Sequence, residues 1–147
     1  MYSYDYRISL GVRHPSAASV DIAARLGMER GFFRDAGTDL RGADGRLIRV
    51  HAHTWVLFEL AVGKDGWLMD AWPQVVEILQ ARVAVIQAFS EEGADVGLRI
   101  GVFGKEAWAG FVLDDALVRL MADLRLGFQL ETYFPDAPVQ TDAVDAS

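Results

Sequence analysis

The chain has 147 residues, 52% of them hydrophobic and 11% aromatic, which is enough apolar content for the core of one domain. Its 14 Lys and Arg against 21 Asp and Glu give a net charge of −7, so nucleic acid and anionic lipid surfaces are unfavourable partners. The absence of cysteine excludes disulfides and thiolate chemistry. No signal-peptide pattern and no apolar run of about 18 residues is present, so we expect a cytoplasmic protein without a membrane partner.

The strands are predicted from alternation with a period of two. Even positions of residues 2 to 13 are apolar and odd positions are polar or glycine, and the same parity returns at 95–102 and 128–131. In residues 52–62 the even positions again face inward, and weaker strands are predicted at about 46–50 and 107–113. Half-buried strands of this kind indicate a mostly antiparallel sheet that is covered on one side.

Three helices are predicted between these strands. The first covers Ser19 to Leu26 and is stopped by Gly27, and the second begins after an Asp70 N-cap, with Pro73 in its first turn, and continues to about residue 89. Asp114 is the predicted N-cap of the third helix, which reaches about residue 124.

The predicted fold class is α+β, a two-layer sandwich. About five or six mostly antiparallel strands form one sheet with three helices on one face, in a ferredoxin-like order with an added βαβ. We expect a single domain over residues 1–134, followed by a flexible acidic tail at 135–147.

Several segments together resemble a known bacterial family. They are YRISLGVRHPSAASVDIAARLGM, a loop with Gly37 and Arg41, a strand with Trp55, LRIGVFG, and LVRLMADLRLGFQLETY. Over residues 4 to 134 the chain is similar to domain of unknown function 4279. The resemblance implies a small bacterial α+β protein and supplies no catalytic residue and no cofactor. The family often has proline and tryptophan after its Leu-Gly, where this chain has GMERGFF at 27–33.

His51 and His53 are the first candidate site, because HxH on a strand can supply two nitrogens to a metal. Glu59 is too far along the strand to join them, and His14 is the remaining histidine of the chain. We interpret the pair as solvated side chains at a strand start and predict no metal site; metal binding at His51 and His53 is the alternative.

Paired acids are the second candidate, for acid–base catalysis. Asp114 with Asp115, Glu91 with Glu92, and Glu29 with Asp35 lie at predicted helix ends or in loops, where capping and solvation account for them. The chain also lacks GxSxG, GxxxxGK[ST], GxGxxG and HExxH. We predict no catalytic residue and leave an enzymatic activity open.

The segment 28–46, MERGFFRDAGTDLRGADGR, is predicted to be a long loop, and loops of this length are often functional. In one interpretation Phe32 and Phe33 close a site edged by Arg34 and Arg41 that suits an acidic group. In the other, which we prefer, the phenylalanines fill the end of the core and the arginines are solvated.

The uncovered sheet face is the last candidate. If the odd positions share it, aromatic and apolar groups lie there among charges, a composition typical of protein interfaces. The residues are Arg7, Trp55, Leu57, Arg99, Phe103, Gln129, Glu131 and Tyr133.

We therefore interpret the sequence as that of a binding or interaction module, regulatory or immunity-type, that uses this face and the Arg/Phe loop. Its partner is another protein or a second copy of the chain, and no cofactor is predicted. The alternative is a small enzyme or ligand-binding domain with a pocket between residues 28–46 and Trp55. Its most specific version is a metal-dependent activity in which His51 and His53 bind the metal.

Overall fold

The computed structural model describes residues 3–106 and 108–135. The strands found there are β1 (Tyr4–His14), β2 (Phe33–Arg34), β3 (Asp39–Arg41), β4 (Leu47–Val50), β5 (Thr54–Gly66), β6 (Asp95–Gly104) and β7 (Gly127–Tyr133). The helices are α1 (Ser19–Leu26), α2 (Trp72–Gln80), α3 (Val83–Glu91) and α4 (Asp115–Asp123), and a 3-10 helix covers Leu68–Ala71.

Five strands form the main sheet in the order β2-β5-β1-β6-β7. The central strand β1 pairs antiparallel with both β5 and β6, whereas β6 and β7 are parallel. Strands β5 and β6, joined through α2 and α3, therefore run in the same direction with β1 between them, a split βαβ unit. The predicted α+β class with a mostly antiparallel sheet is confirmed. The strand predicted at 46–50 is present as β4, but it pairs with β3 in a separate two-stranded hairpin.

The core lies between the sheet and the helices, on the side that alternation predicted. Five even positions of β1 are buried there, together with even positions of β6 and the apolar stripes of the helices. The β1 members are Tyr4, Tyr6, Ile8, Leu10 and Val12. The opposite side of the sheet carries the odd positions of β1 and β6 and no described helix, and we call it the open face.

The single helix predicted from Asp70 to about residue 89 is wrong. Chain 68–91 forms a 3-10 helix, α2 and α3, and α2 starts after Ala71 without a side-chain N-cap. The interruption falls at Ala81 and Arg82, where the Arg82 guanidinium donates to the carbonyls of Ile78 at 2.9 Å and of Leu26 at 2.8 Å. The break could not be predicted from the sequence, because the apolar stripe continues from α2 into α3.

The strand predicted at 107–113 is also not found in its described part, residues 108–113. Backbone carbonyls of this segment accept hydrogen bonds from buried side chains instead of from a neighbouring strand. The Tyr4 hydroxyl donates to the Gly110 oxygen at 3.1 Å, and the Trp72 indole Nε1 donates to the Val112 oxygen at 2.6 Å. The segment thus lies over the core as an irregular cover.

Two predicted helix ends are confirmed. Gly27 ends α1 in the left-handed conformation, with φ of 65°. The Asp114 carboxylate accepts from the Ala116 amide at 2.8 Å at the start of α4. Within the described residues no helix is long and apolar enough to cross a membrane. The predicted tail lies outside the described residues from position 136 onward.

Candidate binding site on the open sheet face

Strand register places Trp55 between two arginines. Arg34 of β2 is directly opposite Trp55 of β5, Trp55 is opposite Arg13 of β1, and Arg13 is opposite Asp95 of β6. Directly opposed residues in a sheet share a face. A half-buried indole with a guanidinium side chain on each side therefore forms one row across the open face.

The next row is almost free of side chains. Gly11 of β1 is opposite Gly97 of β6, and Gly97 is opposite Gly127 of β7. Glycines in a strand mark places where another group approaches the backbone closely. The Trp55 ring occupies the space above Gly11, because a Cβ on Gly11 would lie 2.8 Å from Trp55 ring atom Cη2. The Arg99 guanidinium carbon lies 5.4 Å from the Trp55 ring centre, within cation–π range.

A hydrogen-bonded cluster orders the β7 side of the open face. The Arg99 Nη2 and Gln129 Nε2 atoms both donate to Glu131 Oε1 at 2.8 Å, and the Tyr133 hydroxyl donates to Glu131 Oε2 at 2.8 Å. The bonds from Tyr133 and Arg99 hold the pKa of Glu131 below its usual 4.5. The same bond to Glu131 raises the pKa of Tyr133. The cluster is thus charge-balanced and fixed in shape.

Two further contacts extend this surface. The Arg7 Nε atom lies 3.8 Å from Glu59 Oε1, in a solvent-exposed pair that contributes little to stability. The Phe103 and Tyr133 rings stack with centroids 5.1 Å apart and planes inclined by 10°. An aromatic surface therefore adjoins the charge-balanced cluster.

Three concavities lie side by side along the open face and share lining residues. The first, of about 380 Å³, is lined by Arg13, Arg34, Arg49, Val50, His51, Ala52, His53 and Trp55. The second, of about 300 Å³, shares Arg13 and Trp55 with it and lies over the glycine row. The third, of about 190 Å³, shares Arg99 with the second and reaches Tyr133. We call the first the basic cavity and the whole the groove.

Six of the predicted binding residues thus lie on the open face, namely Arg7, Arg34, Trp55, Arg99, Glu131 and Tyr133. The structure does not bring Phe33 and Arg41 to them. Phe33 is opposite Val56, whose side chain faces the core, and therefore points to the helical side of the sheet. The Arg30 guanidinium carbon lies 4.0 Å from the centre of the Phe33 ring. Arg41 binds Asp39 and the Gly45 carbonyl within the β3–β4 hairpin.

The two phenylalanines of the 28–46 segment do not fill the end of the core. Phe32 is 57% exposed and Phe33 is 42% exposed, so the interpretation that we preferred from the sequence is wrong for the phenylalanines. Arg34 and Arg41 are exposed, as that interpretation expected. The segment contributes Arg34 to the basic cavity, which lies beside Trp55 where the alternative interpretation expected a site.

The three histidines lie at strand ends, His51 and His53 just before β5 and His14 as the last residue of β1. His51 and His53 precede β5, which begins at Thr54, and both line the basic cavity. His14 is buried, with Nδ1 accepting from the Ala17 amide at 2.8 Å and Nε2 lying 3.0 Å from Glu92 Oε1. No group of three or more His, Asp or Glu that could hold a metal occurs in residues 3–106 and 108–135.

One member of each acid pair, namely Glu92, Asp35 and Asp114, has a structural partner. Glu92 binds Arg25 through both carboxylate oxygens, at 2.8 and 2.6 Å, and also His14. These bonds, that of Arg25 foremost, lower the pKa of Glu92 from 4.5 to about 2. The Asp35 carboxylate accepts from the Ser19 amide at 2.6 Å and so satisfies the start of α1.

Sequence reasoning missed Arg13 and Arg49 as members of the site. Arg13 has the odd parity of the other open-face residues of β1 and was within reach of the same argument. Arg49 had no such signal, because its position depends on how the β3–β4 hairpin docks beside β5.

Comparison with protein-family models, curated proteins and solved structures gave no significant match. The resemblance to domain of unknown function 4279 therefore stays a prediction, and the site is argued from its own geometry.

Proposed function

We propose that the protein is a binding module and that the groove on its open face receives a polypeptide partner. The supporting observation is the half-buried Trp55, which is flanked by Arg13 and Arg34 and packs over the first glycine of a row without side chains. Tryptophan and arginine are the residues that most often dominate binding energy at protein interfaces.

The groove is suited to an extended segment with an acidic group at one end. Its β7 side is charge-balanced through Arg99 and Glu131, whereas its other end carries Arg13, Arg34 and Arg49. The Glu131 cluster is already hydrogen-bonded, so its side chains need little further ordering when a partner binds, which lowers the cost of association.

Site-specific photo-crosslinking in the producing cells tests this proposal. A photoreactive phenylalanine analogue replaces Leu57, which lies in the groove, or Val118, which is 45% exposed on α4 on the helical side. We expect a defined adduct from position 57, with another protein or with a second copy of the chain, and none from position 118. Equal adducts at both positions, or none at position 57, would overturn the proposal.

A further inference from the structure

The basic cavity has a composition that the rest of the groove lacks. Arg13, Arg34 and Arg49 supply three guanidinium groups, His51 and His53 supply two imidazoles, and among residues 3–106 and 108–135 no acidic residue lines it. None of these three arginines forms a salt bridge with an acidic side chain in the described part of the chain.

Two described carboxylates lie close to these arginines in the chain or in the sheet, but neither forms an ion pair with them. Asp35, next to Arg34 in the chain, accepts from the Ser19 amide. Asp95 is opposite Arg13 and lines the second concavity together with it, but the two side chains form no ion pair within 4.0 Å. The other arginines of the same chain region are already engaged, Arg41 with Asp39 and Arg46 with Asp44. A cavity lined by three arginines, with no acidic residue among the described residues of its lining, indicates a site for an anion.

We propose that the basic cavity binds the phosphoryl group of a phosphate monoester. A single carboxylate is satisfied by one guanidinium in a two-bond arrangement, whereas a phosphate dianion offers three terminal oxygens and about twice the charge. Three guanidinium groups match the charge and the three terminal oxygens of a phosphate dianion. The Trp55 indole, which separates the cavity from the glycine row, provides an apolar surface for the organic part of the ester.

The volume of the cavity and the net charge of the protein favour a phosphate monoester over nucleic acid as the ligand. The cavity volume of about 380 Å³ is that of a small-ligand site. The net charge of −7 opposes the approach of a long polyanion. The ester is either a free small molecule or a phosphorylated side chain of the partner in the groove. The inference rests on the proposed function, since it assigns the chemistry at one end of the same face.

Titration with phenyl phosphate, followed by two-dimensional NMR of the ¹⁵N-labelled protein at constant ionic strength, tests the inference. We expect saturable shifts of the His53 amide and the Trp55 indole. Arg13→Gln and Arg34→Gln should each weaken binding about tenfold, since each removes a charge-assisted contact. Arg46→Gln is the matched control, because it removes the same charge from the β3–β4 connection outside the cavity, and binding should change less than twofold.

Benzoate distinguishes phosphate from carboxylate and should bind at least tenfold more weakly. A short phosphotyrosine peptide identifies the source of the ester: additional shifts at Gly97 and Gly101 indicate a polypeptide, and shifts confined to the cavity indicate a small molecule. Either result supports the phosphoryl site. Equal binding of benzoate, no saturation, or equal weakening by Arg46→Gln would overturn it. Such failure would leave the crosslink at position 57 unaffected, so the two proposals fail separately.

Discussion

The Trp55 indole lies over Gly11, so close that a Cβ at position 11 would be 2.8 Å from ring atom Cη2. Gly11 therefore sets the position of the aromatic ring at the centre of the groove. A methyl group there forces the ring to move, because the tryptophan ring tip can yield and the backbone of the central strand cannot.

Gly11→Ala is accordingly expected to displace Trp55 without unfolding the chain. The chain has four tryptophans, and their indole N–H resonances are resolvable by NMR, with that of Trp55 assigned by Trp55→Phe. We predict that Gly11→Ala shifts the Trp55 resonance. Gly101→Ala is the control, since its Cβ would meet two Phe103 ring carbons at 3.4 and 3.6 Å and the Arg7 carbonyl oxygen at 4.0 Å, which are ordinary contact distances. An unmoved Trp55 resonance in Gly11→Ala would contradict the packing described.

Tyr4→Phe is expected to destabilise the fold by about 1 to 3 kcal/mol. The Tyr4 hydroxyl accepts from the Leu68 amide at 3.0 Å and donates to the Gly110 carbonyl, so its removal leaves two backbone groups without a partner. Urea unfolding measures the loss. Tyr6→Phe is the control, because Tyr6 is also in the core but has no hydroxyl contact of this kind among the described residues. Equal losses in both variants would argue against the Tyr4 role.

Asp114→Ala is expected to lower the free energy of unfolding by about 1 kcal/mol, because it removes the side chain that caps α4 through the Ala116 amide. Asp114→Asn keeps an oxygen that can accept this bond and should retain most of the stability. Urea unfolding measures both variants. Equal destabilisation by Asp114→Asn and Asp114→Ala would exclude capping as the cause.

Glu92 is expected to make the protein sensitive to acid. Its pKa of about 2 in the folded chain lies below the ordinary 4.5, so the folded state binds a proton less readily than the unfolded state. The stabilisation is complete above about pH 4.5 and is lost as the pH falls toward 2.

Glu92→Gln should therefore be less stable than the parent at pH 7, with a smaller further decline between pH 4.5 and 2. Thermal unfolding across this pH range measures the difference. Glu91→Gln, at the neighbouring exposed position without a described salt bridge, should follow the parent curve. Parallel pH curves for Glu92→Gln and the parent would contradict the role of the Arg25 and His14 contacts.

Local patterns predicted the faces of β1 and β6 and two of the helix ends, because these depend on neighbouring residues. The parity of β1 placed Arg7 and Ile8 on opposite sides, and Asp114 and Gly27 were recognisable as cap residues. The break at Arg82 was not predictable, since one of its hydrogen bonds reaches Leu26, 56 positions away.

The site was predictable only in part, for the same reason. Trp55, Arg99 and Glu131 share the odd parity of the open face, but parity does not give strand order. The alignment of Gly11, Gly97 and Gly127 into one row, and the arrival of Arg49 beside Trp55, both depend on which strands become neighbours.

The most direct test of the groove is to repeat the crosslinking from position 57 in two tryptophan variants. Trp55→Ala removes the side chain at the centre of the groove, whereas Trp67→Ala removes one that is 39% exposed just before the 3-10 helix and lines none of the three groove concavities. We predict that the adduct disappears in Trp55→Ala and persists in Trp67→Ala. An adduct that persists in Trp55→Ala, or is lost equally in both variants, would contradict a binding surface centred on Trp55.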